Sequence, residues 1–177
     1  MRKIIYGPPG TGKTYYLMNE LEKFLEKVDS SKIGYFTFSK NAAQEGKSRA
    51  MEKFNLSEKD LPYFRTLHSF CFNLLGLKKE NVMQEKNYKD LGKDLQIEFE
   101  GIRYDNDHEG VLHSKDPYIS LISLARNKRM FPLDLYNENG YNYNLTRSKL
   151  DIISKELYQY KKQKGLIDYI DMLEKFL

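Results

Sequence analysis

The feature that most constrains this chain is a run of eight residues near its start, Gly7-Pro8-Pro9-Gly10-Thr11-Gly12-Lys13-Thr14. The run matches the phosphate-binding loop pattern G-x-x-x-x-G-K-[ST] at every fixed position. Glycines let the backbone curl so that successive N–H groups point at phosphate oxygens, and the dipole of a following helix favours the same negative charge. We expect Lys13 to reach the β- and γ-phosphates and the Thr14 hydroxyl to bind Mg²⁺. The run therefore predicts a nucleotide site, with a Gly/Pro-rich turn as the alternative.

Apolar runs alternate with helical periodicity over the first 76 residues. The pattern predicts strands at 3–6, 33–38 and 63–66, and helices that begin after Thr14, at 42–54 and at 67–75. The first helix is expected to bury one stripe, made of Leu17, Leu21, Phe24, Leu25 and Val28. Since strands that alternate with helices pair in parallel, the predicted fold class is α/β. Its form would be a P-loop NTPase with a parallel sheet flanked by helices.

The pattern changes after residue 76. Residues 77–117 are polar with weak periodicity, 137–144 form a Tyr/Asn/Gly-rich loop, and helices are predicted at 119–126, from Thr146 to Gly165 and at 169–177. We interpret 1–76 as the phosphate-loop, nucleotide-binding core, 77–150 as a mostly helical insertion, and 151–177 as helices that return to the core.

Composition constrains the partners and the cellular location of the protein. The net charge is +4, and residues 1–76 carry the whole excess, with 12 basic and 8 acidic side chains. A weak excess of this kind permits a polyanionic partner without requiring one. Cys71 is the one cysteine, no apolar run is long enough to span a membrane, and no signal peptide precedes residue 3. These features predict an intracellular protein with no membrane association.

Hydrolysis of a nucleotide needs more than this loop. An acidic residue at the end of a neighbouring strand normally completes the Mg²⁺ shell. The sequence contains no Asp-Glu dipeptide, and no arginine finger can be assigned. Asp168 and Asp171 stand in an apolar context, but their spacing of three suits one face of a helix and a structural role. The chain is thus expected to bind nucleotide and hardly to hydrolyse it.

Two other clusters of charged residues are weaker indications of a binding site. Arg126, Lys128 and Arg129 follow a predicted helix, and a solvated helix end is favoured over contact with DNA. A second cluster fits part of a calcium-loop template, but its side-chain lengths and Pro117 argue against calcium, and a transition-metal site is less favoured still. This second cluster consists of Asp105, Asp107, His108, Glu109, Gly110, His113 and Asp116.

Three further segments follow the phosphate loop in a recognisable order. Phe36-Thr37-Phe38-Ser39-Lys40-Asn41-Ala42-Ala43 resembles the T-F-T-N-K-A-A segment of UvrD/Rep-like superfamily 1 DNA helicases. Arg65-Thr66-Leu67-His68-Ser69-Phe70 resembles the T-x-H-S-F segment of that family, and residues 165–173 resemble its L-D-F-x-D-L stretch. The resemblance is dense over 1–76 and thin over 77–164. Lys40-Asn41 departs from it, because the family usually has Asn-Lys there.

The resemblance implies an N-terminal, ATP-binding fragment of a DNA helicase that translocates on single-stranded DNA. It implies ATP and Mg²⁺ as cofactors, an Asp-Glu (Walker B) motif beyond Leu177, and a second motor domain as partner. The family's glutamine motif, which reads adenine, has no counterpart here. The DNA-binding positions implied are Phe38 near the bases, with Ser39, Lys40, Asn41, Thr66 and His68 along the backbone track.

Other interpretations stay open at this stage. Phe38 and His68 could be core residues, and Thr66 could be a helix N-cap with or without a DNA contact. A small nucleotide or nucleoside kinase fits the length, although no arginine-rich lid is evident. An AAA+ ATPase fits the loop but requires an internal Asp-Glu. A non-enzymatic nucleotide- or DNA-binding module is the remaining alternative.

Overall fold

The computed structural model describes residues 2–99, 102–104, 112–139 and 145–176. The described residues are mainly helical and fall into one unit that ends at Phe70 and a second that begins at Cys71. The helices are α1 Lys13–Leu25, α2 Lys40–Phe54, α3 Leu67–Leu74, α4 Glu85–Leu95, α5 Pro117–Asn127, α6 Pro132–Asn139, α7 Arg147–Lys164 and α8 Tyr169–Phe176. The strands are β1 Tyr35–Thr37, β2 Phe64–Thr66, β3 Arg103–Tyr104 and β4 Leu112–His113. The predicted three-part division at residues 76 and 150 stays a prediction.

The sheet of the first unit consists of β1 and β2, which run parallel with Tyr35 opposite Phe64 and Thr37 opposite Thr66. The second and third predicted strands are therefore present and parallel, though shorter than predicted. The prediction of a strand at 3–6 is wrong, because the structure assigns no strand there and leaves Tyr6 87% exposed. An apolar run forms a strand only where its N–H and C=O groups find a partner strand. None of the described strands pairs with this segment.

Packing in the first unit joins α1 and α2 to β2. Met18 and Leu21 of α1 pack with Ala50 of α2 and with Leu61 and Phe64. The predicted α1 stripe is partly wrong, since Leu17, Phe24 and Val28 are 43%, 55% and 42% exposed. Apolar residues lie on two adjacent faces of this helix, and periodicity alone could not choose the face that α2 covers.

The second unit has its own core, built from α4, α5, α6 and α7. A parallel bridge links Val82 to Ile167, in which the Met83 N–H donates to the Ile167 carbonyl at 2.8 Å. Helix α4 lies in the segment that the sequence indicated as weakly periodic. It buries only Tyr88, Leu91 and Gly92, so its many charged residues hide the pattern. Helix α6 overlaps the predicted loop at 137–144, of which 140–144 lie outside the described residues.

Asp168 and Asp171 cap the start of α8 with two reciprocal hydrogen bonds. The Asp168 N–H donates to Asp171 Oδ2 at 2.7 Å, and the Asp171 N–H donates to Asp168 Oδ1 at 2.8 Å. Each carboxylate thus satisfies a backbone donor that the helix itself leaves free. This capping box agrees with the structural role expected for the pair.

Two cations, the half-buried Arg126 and the buried Lys161, neutralise the same carboxylates. Arg126 Nη1 lies 2.6 Å from Asp168 Oδ2, and Arg126 Nη2 lies 2.6 Å from Asp171 Oδ1 and 2.8 Å from Glu174 Oε2. Lys161 Nζ lies 2.6 Å from Asp168 Oδ2 and 2.7 Å from Asp171 Oδ2. Arg126 therefore ties α5 to α8, and its interpretation as a solvated helix end is wrong. Its alternative as a DNA contact stays a prediction. We call these five residues the α8 charge network.

Burial and charge oppose each other in this network. Burial alone would raise the pKa of Asp168, but Lys161 and Arg126 outweigh it and hold that pKa below its ordinary value. Burial lowers the pKa of Arg126, yet Asp168 and Asp171 raise it overall. The ionised forms of Asp168 and Arg126 are thus both favoured. The network is stable only while each buried charge keeps its partners.

Removing one cation from the network should destabilise the protein. Lys161→Met leaves Asp168 and Asp171 with Arg126 alone, and breaking a buried ion pair costs about 3–5 kcal/mol. Lys162→Met is the matched control, because Lys162 lies on the same helix but is exposed, and its loss should change stability by less than about 0.5 kcal/mol. Urea unfolding followed by circular dichroism measures both. Equal stability of the two variants would contradict the network's structural role.

Candidate functional site

The phosphate loop leads directly into the first turn of α1. Gly10 and Gly12 have left-handed backbones, with φ of 82° and 78°, which any residue with a side chain adopts only with strain. Gly12 occupies the N-cap position of α1, and its carbonyl accepts the first helical hydrogen bond, from the Tyr16 N–H at 2.9 Å. The two glycines therefore provide the curl that the sequence pattern predicted for this segment.

Side chains close the loop on itself. Lys13 Nζ donates to the carbonyl oxygens of Gly7 and Pro8, both at 2.6 Å. Thr11 Oγ1 donates to the same Pro8 oxygen at 2.8 Å. The Lys13 ammonium thus lies over the loop carbonyls, where it is half-buried rather than extended into solvent.

The residues present fit a triphosphate with Mg²⁺. The first turn of α1 contains no acidic side chain, so its free N–H groups and the Lys13 ammonium form a positive end. Thr14 stands in that turn and can offer one hydroxyl ligand. Mg²⁺ commonly takes few protein ligands and keeps waters and phosphate oxygens. Among the described residues, no group of three or more His, Cys, Asp or Glu is arranged to hold a metal.

A second set of predicted residues follows the two parallel strands. Because Thr37 lies opposite Thr66, the chain leaves both strands at the same edge of the sheet. Phe38 is 76% exposed there, so its alternative as a core residue is wrong. Thr66 and His68 are 2% and 9% exposed. The structure therefore brings these two segments together and exposes Phe38 among them.

Two hydroxyl groups at this edge serve as helix N-caps. Ser39 Oγ accepts a hydrogen bond from the Ala42 N–H at 3.2 Å, and Thr66 Oγ1 accepts one from the Ser69 N–H at 3.1 Å. The N-cap interpretation of Thr66 is confirmed. Helix α2 begins at Lys40, two residues before the predicted start, and the serine directly before it was the signal that could have placed that start.

The cap at Ser39 should contribute measurably to stability. Ser39→Ala removes the acceptor for the Ala42 N–H and is expected to cost about 1 kcal/mol of unfolding free energy. Ser39→Asp is the control, because aspartate caps helices about as well as serine, and it should retain most of the wild-type value. Urea midpoints test the pair. A stable Ala variant together with an unstable Asp variant would show that the hydroxyl does not act as a cap.

The discounted metal template is largely outside the described residues. The part of the template outside the described residues comprises Asp105, Asp107, His108, Glu109 and Gly110. His113 belongs to β4. Asp116 caps α5, because its Oδ1 accepts from the N–H groups of Tyr118 and Ile119, each at 3.0 Å.

A groove of about 1150 Å³ lies in the second unit. Ile122, Met130 and Leu157 contribute apolar walls, and Arg126 and Lys161 of the α8 charge network contribute to its lining. No local sequence pattern indicated this groove, because its lining comes from four helices, α5 to α8. Arg129 also lines it and, like Lys128, is exposed.

A glycine loop of this kind at the start of a helix, with parallel strands in the same unit, is characteristic of nucleotide-binding domains of the phosphate-loop class. Within that class, the chain belongs to the UvrD/REP helicase N-terminal domain family, whose model matches residues 2–177. The family implies a P-loop NTPase fold, and the match confirms the resemblance seen in the sequence.

Two curated relatives are both described as probable DNA helicase II homologs. The chain is 35% identical over 86 residues to the protein of Mycoplasma genitalium, a match that covers 46% of this chain and 12% of the relative. It is 32% identical over 96 residues to the protein of Mycoplasma capricolum subsp. capricolum, covering 53% of this chain and 13% of the relative. The matches thus span about one eighth of each relative. No solved structure matches the chain significantly.

Among the described helices, none has the length and apolar character needed to cross a membrane.

Proposed function

We propose that this chain is the ATP-binding part of an ATP-dependent DNA helicase that moves along single-stranded DNA inside the cell. The observation that carries the proposal is the loop over residues 7–14, closed onto the start of α1 in a chain of the UvrD/REP family. The helicase names of the two relatives point the same way.

Nucleotide binding would exchange the partners of Lys13. Its ammonium now donates to the Gly7 and Pro8 carbonyls, and a triphosphate would offer it charged oxygens instead. Hydrogen bonds between two charged groups are stronger than those to a neutral carbonyl, which favours the exchange. Backbone N–H groups from Gly10 to Thr14 would hold the phosphates, and Thr14 would complete a Mg²⁺ shell made mostly of water and phosphate oxygens.

The DNA track would follow the edge where β1 and β2 end. Phe38 supports this best, since an exposed aromatic face stacks on any base without reading sequence. Ser39 and Thr66 place the starts of α2 and α3 there, and His68 lies beside them in sequence. Lys40 and Asn41, in the first turn of α2, would face the phosphate backbone with the helix dipole behind them.

Turnover would need groups from outside this sequence. A hydrolytic site requires an acidic Mg²⁺ partner and charge-stabilising arginines. The sequence has no Asp-Glu pair, and Asp168 and Asp171 already cap α8. We place the missing acid and arginines in further parts of the same protein, including a second motor domain. These 177 residues alone would then bind ATP and hydrolyse it barely.

Loss of Lys13 should weaken nucleotide binding. Lys13→Ala removes the loop's only ammonium group, and we expect at least a tenfold loss of affinity for Mg-ATP in calorimetric titration. Lys27→Ala, which removes an exposed lysine beyond the other end of α1, is the control for charge and should bind as the wild type does. Unchanged affinity of the Lys13 variant would place the nucleotide elsewhere.

Loss of Phe38 should weaken binding of single-stranded DNA. Stacking of one base contributes about 1–3 kcal/mol, so Phe38→Ala should lower affinity for an oligo-dT strand by about 5- to 150-fold at fixed salt. Phe131→Ala is a control matched in exposure, since Phe131 is 77% exposed and Phe38 76%. Fluorescence anisotropy measures both variants. A larger loss for the Phe131 variant would move the DNA track away from the β1–β2 edge.

A further inference from the structure

Thr11 makes a contact that is independent of the ammonium group. Its Oγ1 donates to the Pro8 carbonyl at 2.8 Å and so bridges the two sides of the loop. The other bridges come from Lys13 Nζ, which donates to Gly7 and Pro8. If Lys13 turns to a phosphate, those bridges are lost while the Thr11 bridge can stay. The Pro8 carbonyl would then keep one of its two donors.

Gly7 provides the space for this hydroxyl. A Cβ at Gly7 would lie 2.5 Å from Thr11 Oγ1, which is too close, and 3.4 Å from Thr11 Cβ, which is ordinary contact. Gly7 differs from Gly10 and Gly12, because its backbone is not left-handed. Its lack of a side chain is therefore explained by the neighbouring hydroxyl and not by φ.

We infer that Thr11 is a positioning residue for the nucleotide, whose hydroxyl keeps the loop curled after Lys13 has moved to the phosphates. The inference rests on the proposed function of the loop. In this role the Thr11 side chain does not touch the phosphates. It holds the Pro8 carbonyl, and thereby the loop backbone, at the curvature in which the N–H groups converge. Gly7 contributes to the same arrangement, because any side chain at that position would displace the Thr11 hydroxyl.

The first test separates the hydroxyl from the shape of the side chain. Thr11→Val keeps the branched shape and removes the donor, and we expect affinity for Mg-ATP to fall about fivefold, the worth of one neutral hydrogen bond. Thr11→Ser restores the donor and should bind within about twofold of the wild type. Urea midpoints of both variants should stay at the wild-type value, because the loop is exposed. Wild-type affinity in the Val variant would overturn the inference.

The second test uses the coupling between the two positions. Gly7→Ala should weaken Mg-ATP binding at least as much as Thr11→Val, since it expels the hydroxyl. In a Thr11→Ala background the same change meets no oxygen, so it should cost almost nothing more. Fully additive losses in this cycle would show that Gly7 is required for another reason and would overturn the pairing.

The Lys13→Ala variant distinguishes the two levels of failure. If it binds Mg-ATP like the wild type, the proposed nucleotide site is wrong and the role of Thr11 is wrong with it. If it binds weakly while Thr11→Val binds normally, the nucleotide site stands and only the role of Thr11 is rejected.

Discussion

Hydrogen bonding to the carbonyl oxygens of Gly7 and Pro8 is the interaction on which the candidate site depends. Three donor contacts from Lys13 and Thr11 converge on these two oxygens and hold the loop against the start of α1. Left-handed glycines at 10 and 12 make that closure possible without strain. The loop thus keeps its lysine close to the helix end, where the dipole and the ammonium favour the same anion.

The β1–β2 edge depends on a different constraint, the register of two short parallel strands. Pairing of Thr37 with Thr66 fixes where both chains leave the sheet, and the caps at Ser39 and Thr66 turn each chain into a helix at once. Those hydroxyls are engaged by backbone N–H groups. Phe38 is the exposed apolar residue that this turn presents to solvent. A role in binding bases is therefore compatible with the fold and does not require the caps to open.

The sequence correctly predicted the features that depend on neighbouring residues in the chain. The phosphate loop, the capping threonine at 66 and the stop at Gly165, with φ 62°, follow from residue type and spacing. The strand at 3–6 was wrong because a strand depends on a partner that local sequence does not reveal. The buried face of α1 and the existence of α4 depend on which neighbours cover them. Arg126 was misread for the same reason, since its partners lie more than 40 residues away.

Charge is used in opposite ways in the two units. In the second unit, Asp168 and Asp171 each accept a backbone N–H and also face Arg126 and Lys161, so their oxygens are committed to holding α8. Withdrawing one of them to bind Mg²⁺ would take a partner away from both Arg126 and the buried Lys161, which is costly. In the first unit, the described hydrogen bonds of Lys13 go to neutral carbonyls, which the proposed triphosphate would replace with charged oxygens. Lys13 thus differs from Arg126 and Lys161, whose charges are already balanced by carboxylates.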